Sequence, residues 1–237
     1  MSYYMGLSVL SNIEGQFRKH TKTESRRILS KFENRQIEES DFFKEENGRP
    51  FFKDSDADFN ISHSAEAVAV SYINKKGYRV GCDIEQVRPR SRTAKIAEDK
   101  FSQSENDYLF SGGCFNEVNF FKIWTLKECY IKLKGLSIFD MIKVPSFIKE
   151  NTRNKKNEFS FCAPLSEESS YENFKPLTFR LYELSDNLKI RFFLSEVIEG
   201  GCLQPELLWF SDFSLDCKMI EEIKAAPSPA QTVSPNK

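Results

Sequence analysis

The chain has 237 residues and a formal net charge of -1, from 34 Lys and Arg against 35 Asp and Glu. This balance argues against non-specific nucleic-acid binding, which needs a basic excess to neutralise phosphates. Hydrophobic residues make up 40% of the chain and include 22 Phe, as expected for a folded globular protein. The N-terminal segment lacks the pattern of a secretory signal, and no run approaches the roughly 20 apolar residues of a transmembrane helix. We therefore expect a cytoplasmic protein that binds neither nucleic acid nor membrane.

The cysteine and histidine content restricts the possible chemistry. The six cysteines are widely spaced without a C-x-x-C pair, and there are only two histidines, so neither a zinc site nor a Cys–His nucleophile is expected. The cysteines fit free thiols of a reducing compartment. The chain also lacks a G-x-S-x-G elbow and a Walker loop. Catalysis would therefore depend mainly on carboxylates, lysines and at most one histidine.

The first half of the chain is predicted to hold a helix followed by a hairpin. A capping-box pattern from Thr21 to Glu24, with apolar residues at helical spacing after it, predicts a helix over residues 22–33. Apolar runs bounded by turn residues then predict a turn at 48–50, a strand at 67–72, a hairpin turn at 74–77 and a return strand at 78–85.

The second half repeats this order of elements. Its predicted helices cover residues 94–101, residues from a capping box at 102–105 to about 110, and residues 120–134 with Gly135 as the stop signal. The predicted strands cover 159–162, 177–184, 188–198 and 207–213, with a hairpin turn at 200–201 between the last two. We predict an α+β fold with an N-terminal half (1–92), a C-terminal half (93–224) and a disordered Pro/Ser/Ala-rich tail (225–237).

Two carboxylates lie close together on the predicted return strand. Residues two apart in a strand share a face, about 6.5–7 Å apart along it. Asp83 and Glu85 therefore lie on one face, while Cys82 points to the opposite, apolar face. Adjacent like charges are costly unless a cation lies between them, and hard oxygen donors at this spacing suit Mg²⁺. The alternative is a solvated strand end, because D-x-E is a common pattern.

The third predicted helix of the second half carries a further charged face. Trp124, Glu128 and Lys132 are each four residues apart and lie along one side of the helix. Glu128 could be a third metal carboxylate or a general base, and Lys132 could neutralise a phosphate. The alternative is an exposed Glu–Lys pair worth about 0.3–0.5 kcal/mol.

Two further segments contain candidate anion ligands. Ser62, His63 and Ser64 combine hydroxyls with an imidazole, which suits a phosphate contact but also a hydrogen-bonded structural role. Arg49 lies at the predicted turn and could bind a phosphate through its guanidinium fork, or could simply belong to the turn.

Five short motifs occur in a fixed order: G-R-P at 48–50, F-N-I-S-H-S at 59–64, G-C-D-I-E at 81–85, F-S-x-x-E at 101–105 and W-T-L-K-E-x-x-x-K at 124–132. Together they resemble the 4′-phosphopantetheinyl transferases, in particular the large, surfactin-synthetase-activating type, over about residues 25–145. Members of this family transfer the phosphopantetheine arm of coenzyme A to a serine of a carrier protein, acting as holo-acyl-carrier-protein synthases, and release adenosine 3′,5′-bisphosphate.

The resemblance implies a role for each matching side chain. Asp83, Glu85 and Glu128 would coordinate Mg²⁺, which also binds the coenzyme A pyrophosphate. Glu128 would in addition deprotonate the incoming serine, directly or through a metal-bound water. Lys132 would stabilise the pyrophosphate as the leaving group departs. The residues that would hold phosphates of coenzyme A are Arg49, Ser62, His63 and Lys132.

The family fold implies two similar α/β halves related by a pseudo-twofold axis, each a small antiparallel sheet with packed helices, and an active site in the cleft between them. A chain that carries both halves is expected to act as a monomer. Because carrier proteins of this class are acidic around the modified serine, a basic docking patch is also expected. The candidates are Arg88, Arg90, Arg92, Lys95 and Lys100.

The sequence departs from the family pattern in three places. Cys82 stands where Val or Ile is usual, the segment after Lys132 is short and lacks a glycine, and the region before the G-R-P turn is also short. Candidates there for the 3′-phosphate are Arg18, Lys19, Lys22, Arg26 and Arg27.

Two other functions are compatible with these residues. A degenerate, non-catalytic binder of coenzyme A or a carrier protein is disfavoured by the complete set of carboxylates and Lys132. A Mg²⁺-dependent phosphodiesterase or nuclease is disfavoured by the net charge and by the lack of a further metal-binding Asp/His cluster.

Overall fold

The computed structural model describes residues 2–10, 17–151, 156–163, 175–186, 189–211 and 215–227, which form an α+β fold. The helices are α1 (Phe17–Glu33), α2 (Thr93–Lys100), α3 (Gln103–Phe110) and α4 (Glu117–Lys134), with short 3-10 helices at Glu39–Asp41 and Ile138–Lys143. The strands are β1 (Ser2–Val9), β2 (Phe42–Lys44), β3 (Pro50–Phe52), β4 (Ala57–Ser64), β5 (Ala67–Asn74), β6 (Arg79–Gln86), β7 (Ile148–Asn151), β8 (Lys156–Phe159), β9 (Cys162–Ala163), β10 (Leu177–Asp186), β11 (Lys189–Glu199), β12 (Glu206–Trp209), β13 (Asp216–Lys224) and β14 (Ala226–Pro227).

The first of two four-stranded sheets has the strand order β12-β1-β5-β4. Strand β12 runs parallel to β1, and the other pairs are antiparallel. Helix α1 packs on one face of this sheet, where Ile28 and Leu29 share a buried cluster with Phe59, Val70 and Tyr72. Burial of these apolar side chains stabilises the packing of α1 on the sheet.

The second sheet has the order β13-β10-β11-β6 and is antiparallel throughout. Helix α4 packs across it, and Leu126 and Leu133 share a buried cluster with Phe179 and Val197. Gly81 permits the close approach of α4 to β6, because a Cβ at this position would lie 2.6 Å from the Cys129 carbonyl oxygen. This contact places the motif of β6 directly against the motif of α4.

The strand at 78–85 was predicted to pair back on the strand at 67–72, and this prediction is wrong. Both edges of β5 are occupied, by β1 on one side and by β4 on the other, so β6 instead pairs with β11. The hairpin predicted around residues 200–201 is wrong for the same reason. Strands β10 and β6 occupy both edges of β11, and β12 crosses to the first sheet. Each sheet therefore contains a strand from the other predicted half.

Most predicted helices and strands are confirmed. The helices match α1 to α4, although α1 begins at Phe17, so that Thr21 lies inside it and the capping box predicted there is wrong. The box at Ser102 and the stop at Gly135 are present. The strands that were not predicted are β1, β2, β3, β4, β7, β13 and β14. Of the predicted strand at 159–162, only Phe159 in β8 and Cys162 in β9 lie in strands. Of the predicted tail, 225–227 is described and includes β14, whereas 228–237 lies outside the described residues.

Within the described part of the chain, no helix is both long enough and apolar enough to cross a lipid bilayer.

Candidate functional site

Asp83 lies at the centre of the site, on β6 and facing α4. Its side chain is buried, and its Oδ1 accepts hydrogen bonds from Lys132 Nζ (2.6 Å) and Ser62 Oγ (2.8 Å). Its Oδ2 is buried without a hydrogen-bond partner among the described residues. Burial raises the pKa of Asp83, and Lys132 opposes that shift. The ion pair with Lys132 therefore offsets part of the cost of burying this carboxylate, and one of its oxygens is left without a partner in the described structure.

Glu128 approaches the same place from α4. Burial, followed by the repulsion of Asp83, raises its pKa to about 7, while Lys132 acts to lower it and Glu85 adds a further increase. Two carboxylates of β6 and one of α4 therefore influence one another electrostatically. A carboxyl group with a pKa near neutrality is suited to accept and release a proton.

Lys132 lies one helical turn after Glu128 and contacts β4 and β6 at once. Its Nζ donates to Ser62 Oγ (2.8 Å) and to Asp83 Oδ1 (2.6 Å). Burial acts to lower its pKa, but the adjacent Asp83 carboxylate raises it above the ordinary value. Lys132 is therefore charged, and its side chain remains 26% exposed at the edge of the site.

Arg49 has a different environment from the one implied by the resemblance. Its side chain is 3% exposed and forms an ion pair with Asp58 (2.6 Å). The same guanidinium donates to the carbonyl oxygens of Phe59, Val80 and Lys132. These bonds join β4, β6 and the end of α4. In this structure Arg49 therefore holds these elements together behind the site through Nη1 and Nη2, while its Nε is buried without a hydrogen-bond partner among the described residues.

Glu85 is held from two sides. Ser64 Oγ donates to its Oε2 (2.9 Å), and Arg90 Nη2 donates to the same oxygen (2.7 Å). The Arg90 guanidinium also lies over the Phe121 ring, 5.0 Å from its centroid. Arg90 was predicted to belong to the docking patch, but these contacts direct it toward the carboxylate site.

The polar face of β4 bonds to the open edge of β6, a feature that the sequence analysis missed. Four side chains of β4 at alternate positions each accept one backbone N–H of β6, and we call this set the polar ladder. Its bonds are Val80 N–H to Asp58 Oδ2 (2.7 Å), Cys82 N–H to Asn60 Oδ1 (3.1 Å), Ile84 N–H to Ser62 Oγ (3.2 Å) and Gln86 N–H to Ser64 Oγ (3.0 Å). The D-x-N-x-S-x-S alternation at 58–64 was the available signal, since it predicts a strand with one polar face.

Ser62 is part of this ladder, and its contacts differ from the predicted phosphate contact. The side chain is 4% exposed, and its hydroxyl bonds to Ile84 N–H, Asp83 and Lys132. His63 points to the opposite face of β4 and is exposed. Because strand side chains alternate, His63 shares that face with Ile61, which lines a cleft of about 220 Å³. The basic residues around this cleft are Lys22, Arg26 and Lys44.

Two other residues of the α4 motif have structural contacts. Trp124 stacks on Phe120 with ring centroids 5.6 Å apart, at the border of the core. Lys127 is fully buried, forms an ion pair with Glu105 (3.1 Å) and donates to the Val144 carbonyl. The F-S-x-x-E and W-T-L-K-E motifs thus meet through this pair, which fixes the orientation of α4.

The carboxylates fit a magnesium ion by donor chemistry. Mg²⁺ prefers one or two carboxylate oxygens together with water and phosphate, and Asp83 Oδ2 is a buried acceptor without a partner among the described residues. Burial and the nearby Asp83 and Glu85 carboxylates raise the pKa of Glu128, and a bound cation would favour its ionised form. In the described residues, no three His, Cys, Asp or Glu side chains already lie in a metal-binding cluster.

Comparison with known proteins finds a family match that includes the region of this site. The model of the 4′-phosphopantetheinyl transferase superfamily matches residues 79–180, which include β6 and α4. The similarity to this superfamily is therefore shown for residues 79–180. This region carries all three carboxylates and Lys132.

Individual relatives extend the similarity beyond the superfamily region. The chain is 35% identical over 156 residues to the 4′-phosphopantetheinyl transferase gsp of Aneurinibacillus migulanus, an alignment that covers 63% of this chain and 62% of gsp. It is 36% identical over 109 residues to Sfp of Bacillus subtilis, covering 44% and 46% of the two chains. AcpT of Escherichia coli strain K12 is 34% identical over 103 residues, covering 43% and 52%. Each alignment spans less than two thirds of the relative.

Proposed function

We propose that this protein transfers the phosphopantetheine arm of coenzyme A to a serine of an apo carrier protein. The proposal is supported by the superfamily match over residues 79–180, together with the Lys132–Asp83 ion pair and the electrostatic influence of Asp83 and Glu85 on Glu128 within that region. Phosphoryl transfer needs positioning and charge neutralisation more than covalent chemistry. The site offers carboxylates for Mg²⁺ and a charged lysine for phosphate oxygens.

In this proposal, Glu128 accepts the proton of the carrier serine. Its pKa of about 7 makes the ionised form available near neutral pH while keeping enough basicity to accept the proton. The serine oxygen then bonds to the phosphorus that carries the pantetheine arm, the bond from that phosphorus to the bridging pyrophosphate oxygen breaks, and adenosine 3′,5′-bisphosphate leaves. Lys132 neutralises charge on the departing group. A Mg²⁺ ion bound by Asp83, Glu85 and Glu128 would supply further charge neutralisation to the pyrophosphate.

The 3′-phosphate of coenzyme A would bind on the other face of β4. His63 is exposed there, and the neighbouring cleft is bordered by Lys22, Arg26 and Lys44. Clustered cations and an imidazole are suitable ligands for the 3′-phosphate. Arg49 and Ser62 support this binding by holding β4, β6 and Lys132 in place.

The acidic carrier protein would dock on the connector that follows β6. Arg88, Arg92 and Lys95 are exposed, whereas Arg90 is bonded to Glu85. We further propose that the chain is cytoplasmic and that it acts as a monomer, since all of the proposed catalytic groups belong to one chain.

The test combines coenzyme A, Mg²⁺ and a panel of apo carrier proteins from fatty-acid, polyketide and nonribosomal-peptide systems, with mass spectrometry of the carriers. Transfer adds about 340 Da, the mass of the phosphopantetheinyl group, to a serine. We expect Glu128→Gln to lower kcat by about 10² to 10⁴, the usual contribution of a general base. The exposed Glu206→Gln serves as the matched control and should behave as wild type. Failure of the wild type to modify any of the carriers would contradict the transferase function, whereas an active Glu128→Gln would contradict only the role of Glu128.

A further inference from the structure

Two serines of the polar ladder make the same pair of contacts, two residues apart along the strands. Ser62 Oγ accepts the N–H of Ile84 and donates to Asp83 Oδ1. Ser64 Oγ accepts the N–H of Gln86 and donates to Glu85 Oε2. A hydroxyl has one hydrogen to donate and two lone pairs. Each serine therefore uses its only hydrogen on a carboxylate of the site.

The other two members of the ladder make no such contact. Asn60 accepts the N–H of Cys82, and Asp58 accepts the N–H of Val80 and the guanidinium of Arg49. The ladder thus divides into a part that only joins β4 to β6 and a part that also orients carboxylates. The serines differ from the other two members because each carboxylate directly precedes the residue whose N–H the serine accepts. Asp83 precedes Ile84, and Glu85 precedes Gln86.

We propose that Ser62 and Ser64 are positioning residues that hold the Asp83 and Glu85 carboxylates for a divalent cation. The inference rests on the proposed function and assigns Ser62 a role other than a direct phosphate contact. By bonding to Oδ1, Ser62 and Lys132 fix the carboxylate plane and leave Oδ2 as the oxygen without a partner in the described structure. Groups that orient metal ligands in this way typically change metal affinity 10- to 100-fold when removed.

The experiment measures Mg²⁺ binding directly, by calorimetry on the full chain without coenzyme A, so that the readout does not depend on catalysis. We expect Ser62→Ala and Ser64→Ala each to raise the Kd for Mg²⁺ 10- to 100-fold. Ser64→Thr, which keeps a hydroxyl, should restore binding to within about threefold of wild type.

Two variants serve as matched controls. Asn60→Ala removes a bond between β4 and β6 without touching a carboxylate, and Ser71→Ala removes a buried hydroxyl of β5 that has no hydrogen-bond partner in the described residues. Both should keep the wild-type Kd, even though Asn60→Ala lowers the melting temperature. If Asn60→Ala does not fold, Ser71→Ala and Ser64→Thr still decide the outcome.

The failures of the two proposals are distinguishable. A wild type that transfers phosphopantetheine, together with serine-to-alanine variants of unchanged Mg²⁺ affinity, would overturn the positioning role alone. Equal weakening by Asn60→Ala would also overturn it, because the effect would then follow from the loss of any contact between the strands. A wild type that neither binds Mg²⁺ nor transfers the arm would overturn both.

Discussion

At the scale of single residues, the carboxyl group of Glu128 connects activity to stability. Its pKa is raised from 4.5 to about 7 by burial and by Asp83, so the folded protein holds this proton more tightly than the unfolded chain does. Between these two values the folded state binds more protons, and its stability falls as the pH rises. An ionised Glu128 therefore destabilises the metal-free protein above pH 7.

Replacing this carboxyl by its neutral isostere should stabilise the metal-free protein at alkaline pH. One pKa unit corresponds to about 1.4 kcal/mol. After a discount for partial solvent exposure, Glu128→Gln is expected to raise the free energy of unfolding by about 2 kcal/mol at pH 8. The measurement is urea denaturation in the presence of a chelator, at pH 4.5, 6 and 8.

The difference between Glu128→Gln and wild type should shrink as the pH falls through 7 and become small near pH 4.5, where Glu128 is protonated in the folded state and about half protonated in the unfolded chain. Glu206→Gln, at an exposed position, should show no such trend. A Glu128→Gln variant less stable than wild type at pH 8 would show that the carboxylate is stabilised by its surroundings, contrary to its raised pKa.

The central part of the site could be predicted from the sequence. Strand alternation placed Asp83 and Glu85 on one face, and helical spacing placed Glu128 and Lys132 together; the structure brings the two pairs into one electrostatic group. Sequence spacing could not show that the Ser62 hydroxyl points toward Asp83. That direction depends on which edge of the second sheet lies beside β4, a property of the tertiary fold.

At the scale of elements, α4 is fixed by a buried ion pair on the side away from the site. Lys127 and Glu105 are 1% and 0% exposed, with Nζ and Oε2 3.1 Å apart. Glu105 also accepts the backbone N–H of Ser102 and of Phe147, so one carboxylate joins the start of α3, the helix α4 and the segment before β7. A buried pair of this kind adds little net stability, but removing one partner leaves an uncompensated charge.

Lys127→Met is therefore expected to destabilise the protein by about 3–5 kcal/mol, because it leaves Glu105 charged and buried. The double variant Lys127→Met/Glu105→Gln should recover part of this loss, since it removes both charges. Thermal and urea denaturation of Lys127→Met, of Glu105→Gln and of the double variant give the coupling energy between the two side chains.

The matched control is the exposed ion pair between Lys143 and Asp140 (2.8 Å). Lys143→Met should cost less than about 1 kcal/mol, as is usual for solvent-exposed pairs. Equal losses from Lys127→Met and Lys143→Met would contradict the structural role of the buried pair.

The elements themselves were more predictable than their pairing. Capping residues and apolar spacing predicted the helices, and Gly135 ends α4 in the left-handed conformation with φ of 64°. The turn residues at 74–77 indicate a change of direction, but local sequence does not reveal that both edges of β5 are already occupied. Strand β13 was missed because most of its side chains are partly or fully exposed and give little alternation.

At the scale of the whole molecule, the two sheets are joined by exchanged strands and by side chains. Strand β6 is part of the second sheet through its backbone hydrogen bonds to β11. It also bonds to β4 of the first sheet through the side chains of the polar ladder. The candidate site lies along this seam. The predicted boundary at residue 92 divides the sequence into two halves, but each sheet contains strands from both halves.

The near-zero net charge of the whole chain conceals a local separation of charge. The acidic side chains Asp83 and Glu85 lie on β6. The connector and helix that follow β6 carry three exposed basic residues: Arg88, Arg92 and Lys95. Local fields of this kind steer association with a partner of opposite charge and act over about 8–10 Å at physiological salt.

If an acidic carrier protein docks here, reversal of Arg88 and Arg92 to Glu should raise the KM for the carrier protein about tenfold. The KM for coenzyme A should stay within twofold, because neither arginine borders the cleft beside His63. The effect should weaken as salt is raised from 50 to 500 mM, since screening removes the attraction that the arginines provide. Steady-state kinetics with each substrate varied in turn measure both constants. Reversal of the exposed Lys76 and Lys224, which lie at the opposite end of β6 from the connector, is the control for total charge. An equal rise in both KM values, or an equal effect of the control reversal, would place the docking surface elsewhere.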